Sequence, residues 1–157
     1  MMAQLSFMYP RDPIDVSERL RALPDDGSIP CMPGWRWIHT PGHMPGHASL
    51  FRDSDRTLIV GDAFCTTKQE SVYAVLTQKP ELHGPPAYFT TDWVAARQSV
   101  HILARLKPKA VAPGHGQPLD GAAASEALDE LAERFDEIAA PAHGRYVQRR
   151  VRRRAYP

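Results

Sequence analysis

Histidines in one short proline-rich segment are the first residues whose types and spacing could do chemistry. Residues 39–47 read His-Thr-Pro-Gly-His-Met-Pro-Gly-His, with the histidines four positions apart. On a helix this spacing would place the three rings on one face. Pro41 and Pro45, each followed by a glycine, exclude that helix and predict a rigid loop instead. Imidazole nitrogens on a rigid loop are well placed to bind a metal ion.

Two further candidate ligands each follow a short apolar run. Asp62 comes one glycine after the apolar residues 58–60, which predict a buried strand, and a carboxylate at such a strand end can bridge two cations. His115 stands between two glycines after a strand predicted over 110–112, where small neighbours leave room for a metal ion and a substrate. We therefore expect His43, Asp62 and His115 all to emerge where strands end.

The three segments in combination resemble the metallo-β-lactamase superfamily. The shared pattern is Thr-Pro-Gly-His-x-x-Gly-His, then an apolar strand ending in Gly-Asp, then Pro-Gly-His-Gly, and it runs from Trp35 into the second predicted helix. The resemblance implies that His43 binds a first metal ion, that Asp62 bridges both metal ions, and that His115 binds the second. His47 is implied to support the ligands. Zinc is the expected divalent metal, with iron or manganese as alternatives, since histidine and carboxylate suit all three.

One family motif is absent from this sequence. The superfamily's upstream His-x-His-x-Asp-His supplies most remaining ligands and the acid/base aspartate, and no two of the seven histidines here form His-x-His. His43, Asp62 and His115 are therefore expected to make at most one weak site, a face of two histidines and one carboxylate, where the complete family site holds two metals. We assign no catalytic residue and no other cofactor.

The function implied by the resemblance is metal-dependent hydrolysis of an ester, thioester, lactone or amide. Because half of the site is missing, we expect this chain to be inactive alone. The alternative is a non-catalytic interaction module or subunit that pairs through an exposed sheet face. A homodimer, a complementing N-terminal half and a start inside a longer enzyme all remain open. The intact family acts on small molecules, and we expect neither a nucleic-acid nor a membrane partner.

The expected fold is α/β, one half of the family's four-layer αββα sandwich, with a mixed β-sheet covered by amphipathic helices. Its missing partner sheet should leave apolar surface exposed. Residues 1–148 form the partial domain, in which 1–34 are irregular and 66–90 carry no decodable motif. The elements predicted from periodicity and turn signals are a strand at 35–39, a hairpin pairing 49–51 with 57–60, a helix from Trp93 to Leu106 capped by Thr91, a strand at 110–112 and a helix over 124–138.

Composition limits the class of protein. With 157 residues, 43% hydrophobic and 24% charged, the chain suits one globular domain. Five of its 19 basic residues lie in 149–157, which predicts a mobile basic tail on a mildly acidic body. Cys31 and Cys65 do not make a disulfide framework, and no apolar run is long enough to span a bilayer. A cytoplasmic location is the expectation.

Overall fold

A computed structural model describes residues 15–68, 73, 76, 81–87 and 89–141. The described residues form a mixed five-stranded sheet, flanked by helices, with strand order β1-β2-β3-β4-β5. The strands are β1 (Trp35–His39), β2 (Ala48–Arg52), β3 (Thr57–Gly61), β4 (Ala110–Pro113) and β5 (Leu119–Asp120). The helices are a 3-10 turn (Ser17–Arg19), α1 (Trp93–Arg105), α2 (Gly121–Glu133) and α3 (Phe135–Ile138).

The direction of strand pairing determines which loops meet. Strands β1, β2 and β3 form an antiparallel meander, and β4 then pairs with β3 in parallel, with Leu58 opposite Val111. Because parallel strands end at the same edge of a sheet, the residues that follow β3 and β4 come together there. This pairing brings Asp62 and His115 to one edge from distant parts of the chain.

One face of the sheet packs against the helices. Side chains alternate between faces along a strand, and Phe51, Leu58, Val60 and Val111 are each at most 3% exposed in a single apolar cluster. Residues of α1 and α2 complete that cluster, with Val100, Leu103, Leu128 and Leu131 each at most 1% exposed. The predicted α/β fold, a mixed sheet covered by amphipathic helices, is confirmed.

The opposite face of the sheet carries its own apolar row. Trp37 stands opposite Leu50, Leu50 opposite Ile59, and Ile59 opposite Ala112. All four alternate with the buried residues, so they project away from the helices. Ile59, on the central strand, is 37% exposed. An exposed isoleucine at the centre of a sheet indicates that this face is incompletely covered by the described residues.

The start of α1 corrects one prediction. Asp92, not Thr91, is the N-cap, and its carboxylate accepts hydrogen bonds from the backbone N–H groups of Val94 and Ala95. Thr91 instead donates its backbone N–H to the Gly42 carbonyl oxygen, 3.0 Å away. A carboxylate suits the cap better than a hydroxyl because it also interacts favourably with the positive end of the helix dipole.

We expect Asp92→Ala to lower the free energy of unfolding by about 1 kcal/mol, because two N–H groups at the helix start lose their acceptor. The melting temperature should fall by roughly 2–4 °C for a chain of this size. Asp92→Asn keeps an acceptor oxygen and should remain close to the wild type in the same thermal unfolding experiment. If Asp92→Asn lowers the melting temperature as much as Asp92→Ala does, the capping role is contradicted.

The second predicted helix is interrupted. Residues 124–138 fall into α2 and α3, separated at Arg134, whose φ of −111° leaves the helical range. The apolar spacing continues across the break, so periodicity alone could not reveal it. Strand β5 was also not predicted, because two residues are too few to show an alternating pattern.

Some predictions lie outside the described residues. They concern the first fourteen residues, most of the segment 69–80, and the basic tail at 149–157. Among the described helices, none is long and apolar enough to cross a membrane.

Candidate metal centre

The loop between β1 and β2 carries His43, and two sets of backbone hydrogen bonds hold it in place. The Thr40 N–H donates to the His47 carbonyl oxygen at 2.9 Å, which closes the loop on itself. The Gly42 carbonyl oxygen accepts the N–H groups of Thr91 and Asp92, each at 3.0 Å, which ties the loop to the start of α1. The predicted rigid loop is thus present, and its rigidity comes from these hydrogen bonds as well as from its prolines.

The three predicted ligands meet at the edge where β3 and β4 end. The Nε2 atom of His43 lies 3.6 Å from Oδ2 of Asp62. The Nε2 atom of His115 lies 3.6 Å from the other carboxylate oxygen, Oδ1. The side chains are 13%, 30% and 48% exposed for His43, Asp62 and His115, so the group opens to solvent on the His115 side.

Each imidazole nitrogen and the Asp62 oxygen nearest to it are spaced as two ligands of one divalent metal ion would be. Donors bound tetrahedrally to one zinc ion at usual bond lengths lie about 3.4 Å apart, close to the 3.6 Å between each Nε2 atom and its carboxylate oxygen. Within the described ranges, no group of three or more His, Cys, Asp or Glu side chains is arranged to hold one ion. The two imidazoles approach different oxygens of Asp62, and the expected single face of two histidines and one carboxylate stays a prediction.

Two glycines, Gly61 and Gly114, leave room for the Asp62 carboxylate in its observed position. Gly61 has a φ of +58°, the left-handed region in which side chains are disfavoured, and its carbonyl oxygen accepts the Gly114 N–H at 2.9 Å. A Cβ atom on Gly114 would lie 2.5 Å from Oδ1 of Asp62. Gly114 must therefore lack a side chain for Asp62 to point toward His115.

We expect Gly114→Ala to weaken metal binding while leaving the fold intact. The added methyl group meets the movable end of the Asp62 side chain, so the carboxylate can rotate away. It also lies 3.2 Å from the Gly61 carbonyl oxygen, a tight contact that a small backbone shift relieves at a small cost to stability. Metal affinity should fall by about ten- to a hundredfold, as for other changes that misdirect a ligand. Zinc titration with a melting curve tests this, with Gly46→Ala as control because its Cβ atom would meet open space. Equal zinc affinity in the two variants would contradict the role of Gly114.

Two buried threonines that the sequence did not single out contact the ligand loops. Thr90 donates its hydroxyl to the Pro86 carbonyl oxygen, and its Oγ1 atom lies 3.5 Å from Nδ1 of His43, a long contact. Thr66 donates to the Gln117 carbonyl oxygen at 2.6 Å, in the turn that follows His115. Both threonines are at most 1% exposed. No motif covers them, because each contact joins segments far apart in the chain.

His47 lies behind the candidate ligands. Its Nε2 atom accepts the backbone N–H of Asp62 at 2.9 Å. Burial lowers the pKa of His47 below its ordinary value, although a hydrogen bond to Thr40 and the charge of Asp62 act in the opposite direction. Because burial has the largest effect on this pKa, folding favours the neutral form of the His47 imidazole over the charged form.

The remaining described histidines lie apart from the candidate ligands. His39 is exposed and its Nε2 atom lies 2.7 Å from the Pro45 carbonyl oxygen. His83 is buried and exchanges two backbone hydrogen bonds with Cys65, which is also buried. His101 is exposed on α1, and His143 lies outside the described residues.

Comparison with known proteins decides the family. The sequence model of the metallo-beta-lactamase superfamily matches residues 5–115, well over half of the chain. This chain belongs to the metallo-beta-lactamase superfamily. Membership implies that the family's fold binds divalent metal ions, in agreement with the imidazole and carboxylate donors found together here.

Individual relatives agree with this assignment. The chain is 56% identical over 99 residues to "Probable metallo-hydrolase YflN" of Bacillus subtilis (strain 168), covering 63% of this chain and 38% of the relative. It is 37% identical over 57 residues to "Probable metallo-hydrolase YybB" of the same organism, covering 36% and 21% respectively. This superfamily chain therefore spans less than two fifths of the length of either curated relative.

A solved structure shares the fold. The apo state of the chemotaxis sensor ODP from T. denticola is similar with a TM-score of 0.51 and 20% sequence identity, covering 73% of this superfamily chain and 51% of that one. At this identity the likeness extends to the fold alone.

Proposed function

We propose that this chain provides the C-terminal part of a binuclear metal site in a hydrolase. In this proposal His43 would hold one metal ion, His115 would hold the other, and Asp62 would be a ligand of both. The observation that supports it is the pair of 3.6 Å separations, one from each imidazole to a different oxygen of Asp62. A carboxylate approached in this way from two sides has the arrangement that a bridging ligand needs.

Zinc is our first choice of metal, because two imidazoles and a carboxylate are ordinary zinc ligands. Iron and manganese bind the same donor types and are the alternatives. In sites of this kind, the metal ions lower the pKa of a bound water molecule and polarise the carbonyl or phosphoryl oxygen of the substrate. The residues of this chain would hold and orient the metal ions: His43 and His115 would supply nitrogen donors, and Asp62 would supply the carboxylate between them.

The substrate class that we propose is a small ester, thioester, lactone or amide. The half-exposed His115 and the solvent-facing side of Asp62 leave one approach open to a small molecule. Since the sequence contains no His-x-His-x-Asp-His, no group in this chain corresponds to the family's acid/base aspartate. We therefore expect the 157-residue chain to show no substantial turnover unless a segment carrying that motif is supplied.

Turnover measurements test the proposal. The metal-loaded chain is assayed against ester, thioester, lactone and amide substrates, alone and after mixing with a complementing first half that carries His-x-His-x-Asp-His. We expect activity only in the mixture, and none when the chain carries Asp62→Ala. Robust turnover by the purified chain alone would contradict the missing-half account, whereas activity of the Asp62→Ala mixture would contradict the metal site.

A second candidate function, a non-catalytic module that pairs with another chain, is favoured by the apolar row on the sheet face that the described residues cover incompletely. Trp37, Leu50, Ile59 and Ala112 line that face in register. Ile59 is exposed and the other three are half-buried, and exposed apolar groups of this kind mark interaction surfaces. Light scattering tests this candidate by comparing the wild type with Ile59→Lys. A dimer that dissociates in the variant would support self-pairing, and a monomer in both would leave the face for a complementing half.

A further inference from the structure

A series of hydrogen bonds, partly buried at His47 and fully buried between Thr40, Ser49 and Val60, connects the His43 loop to the strand end that carries Asp62. It begins at the Asp62 N–H, which donates to Nε2 of His47 at 2.9 Å. A backbone N–H can only donate, so Nε2 must be an unprotonated acceptor. The neutral His47 ring therefore carries its proton on Nδ1, and this geometry determines the tautomer without reference to any metal.

The other side of the His47 ring leads back to β3. Its Nδ1 atom lies 2.9 Å from Oγ1 and 3.1 Å from the carbonyl oxygen of Thr40, both of which can accept its proton. The Ser49 hydroxyl donates to the Val60 carbonyl oxygen at 3.0 Å. Ser49 Oγ is then the acceptor for the Thr40 hydroxyl, 3.0 Å away. The donor and the acceptor of every hydrogen bond in the series are thus determined.

The two ends of this series lie on either side of Gly61. One end is the Val60 carbonyl oxygen and the other is the Asp62 N–H, so the series encloses the turn at Gly61, whose φ is +58°. A Cβ atom on Gly61 would lie 2.7 Å from Nε2 of His47. The ring therefore occupies the space that the missing side chain leaves. Thr40 and Ser49 are 0% exposed, so their hydroxyl groups are shielded from bulk solvent.

We propose that His47, Thr40 and Ser49 are positioning residues that fix the direction of the Asp62 carboxylate. The inference deepens the proposed function and rests on it, because the direction of Asp62 matters chemically only if Asp62 binds metal. It assigns to Thr40 and Ser49 a role beyond packing, and to His47 the Nδ1–H tautomer. Buried and fully paired polar groups of this kind hold a ligand in one geometry before the metal arrives.

The first test uses the protein without metal and is independent of the proposed function. Nitrogen-15 NMR at a pH where imidazole is neutral should show His47 as the Nδ1–H tautomer, with a coupling across the hydrogen bond between its Nε2 and the Asp62 amide. The Asp62 amide should exchange with solvent faster in Thr40→Val than in the wild type. Thr40→Ser keeps the hydroxyl and should exchange as the wild type does.

The second test measures cobalt(II) affinity and the cobalt absorption spectrum of the full chain. Thr40→Val and Ser49→Ala should each weaken cobalt binding by about ten- to a hundredfold, the usual effect of removing a partner behind a metal ligand. Thr40→Ser should restore it. Thr57→Val is the matched control. Thr57 begins β3, the strand that leads to Asp62, and lies at the end of that strand far from Asp62. If Thr40→Val does not fold, Thr40→Ser and Ser49→Ala carry the comparison.

The outcomes separate the two proposals. A His47 ring protonated on Nε2 overturns the hydrogen-bond series, whatever the cobalt result. Cobalt affinities that fall no further in Thr40→Val and Ser49→Ala than in Thr57→Val overturn the positioning role while leaving the ligands in place. If the wild type and Asp62→Ala bind cobalt equally, the proposed function fails, and the tautomer and amide exchange alone decide whether the series holds Asp62.

Discussion

Asp62→Ala is expected to remove zinc binding at both positions, whereas His43→Ala and His115→Ala should each remove it at one. The reason is that the two imidazoles share the carboxylate, each facing a different oxygen at 3.6 Å. We expect Asp62→Ala to weaken zinc binding by more than about a hundredfold, beyond the ten- to hundredfold effect of residues behind the ligands. Calorimetric titration of zinc into the wild type and the three variants measures this.

The control for that titration is Asp129→Ala. Asp129 is a carboxylate on α2 that forms an ion pair with Lys107 at 2.6 Å, so its loss changes the net charge equally. If all three ligand variants bind zinc as tightly as the wild type does, the site assignment is contradicted. Adding a first half with His-x-His-x-Asp-His should tighten zinc binding to the wild type, since further ligands complete both positions. If the variants lose zinc but the added half changes nothing, the ligands stand and the missing-half account fails.

Gly42→Ala is expected to have the largest effect on stability. Gly42 has a φ of +136°, and a Cβ atom there would lie 2.4 Å from the Ala96 Cα and N atoms, in the backbone of α1. Backbone in a helix cannot move aside as a side-chain end can, so the loop must separate from the helix. We expect a loss of at least about 3 kcal/mol in the free energy of unfolding. The melting temperature should then fall by roughly 6–12 °C or more.

Gly46→Ala is the matched control for Gly42→Ala, because it lies in the same loop and its Cβ atom would meet nothing within 4 Å. Thermal unfolding should show little change in that variant. A similar loss in both would mean that the loop requires flexibility at any glycine. A normal melting curve for Gly42→Ala would mean that the loop does not pack against α1 as closely as described.

Much of the architecture follows from local patterns in the sequence. Strand β1 has the predicted bounds, and the hairpin and α1 differ from their predictions by a residue or two at their ends. Periodicity works here because one face of each element packs against a single apolar cluster. It failed at Arg134, where the apolar spacing continues through a break in the backbone.

That His43, Asp62 and His115 lie close together was predictable from the sequence, whereas the contacts that hold them there were not. Three short motifs identified His43, Asp62 and His115 because each has glycine nearby and follows a strand. The hydrogen bonds of Thr40 and Ser49 depend on how β2 pairs with its neighbours, which no local motif encodes. The division of the donors into two pairs depends on Asp62 side-chain direction, which in turn requires Gly114.

The parallel pairing of β3 with β4 also affects the order of folding. The hairpin of β2 and β3 closes a short loop, but β4 reaches β3 only after the chain has passed through the whole of α1. Closing that longer connection costs more chain entropy and is slower. His43 and Asp62 can thus approach each other once the meander of β1, β2 and β3 has formed, whereas His115 joins them only with β4. In a refolding experiment, a spectroscopic change at His115 therefore reports the arrival of β4, separately from formation of the hairpin.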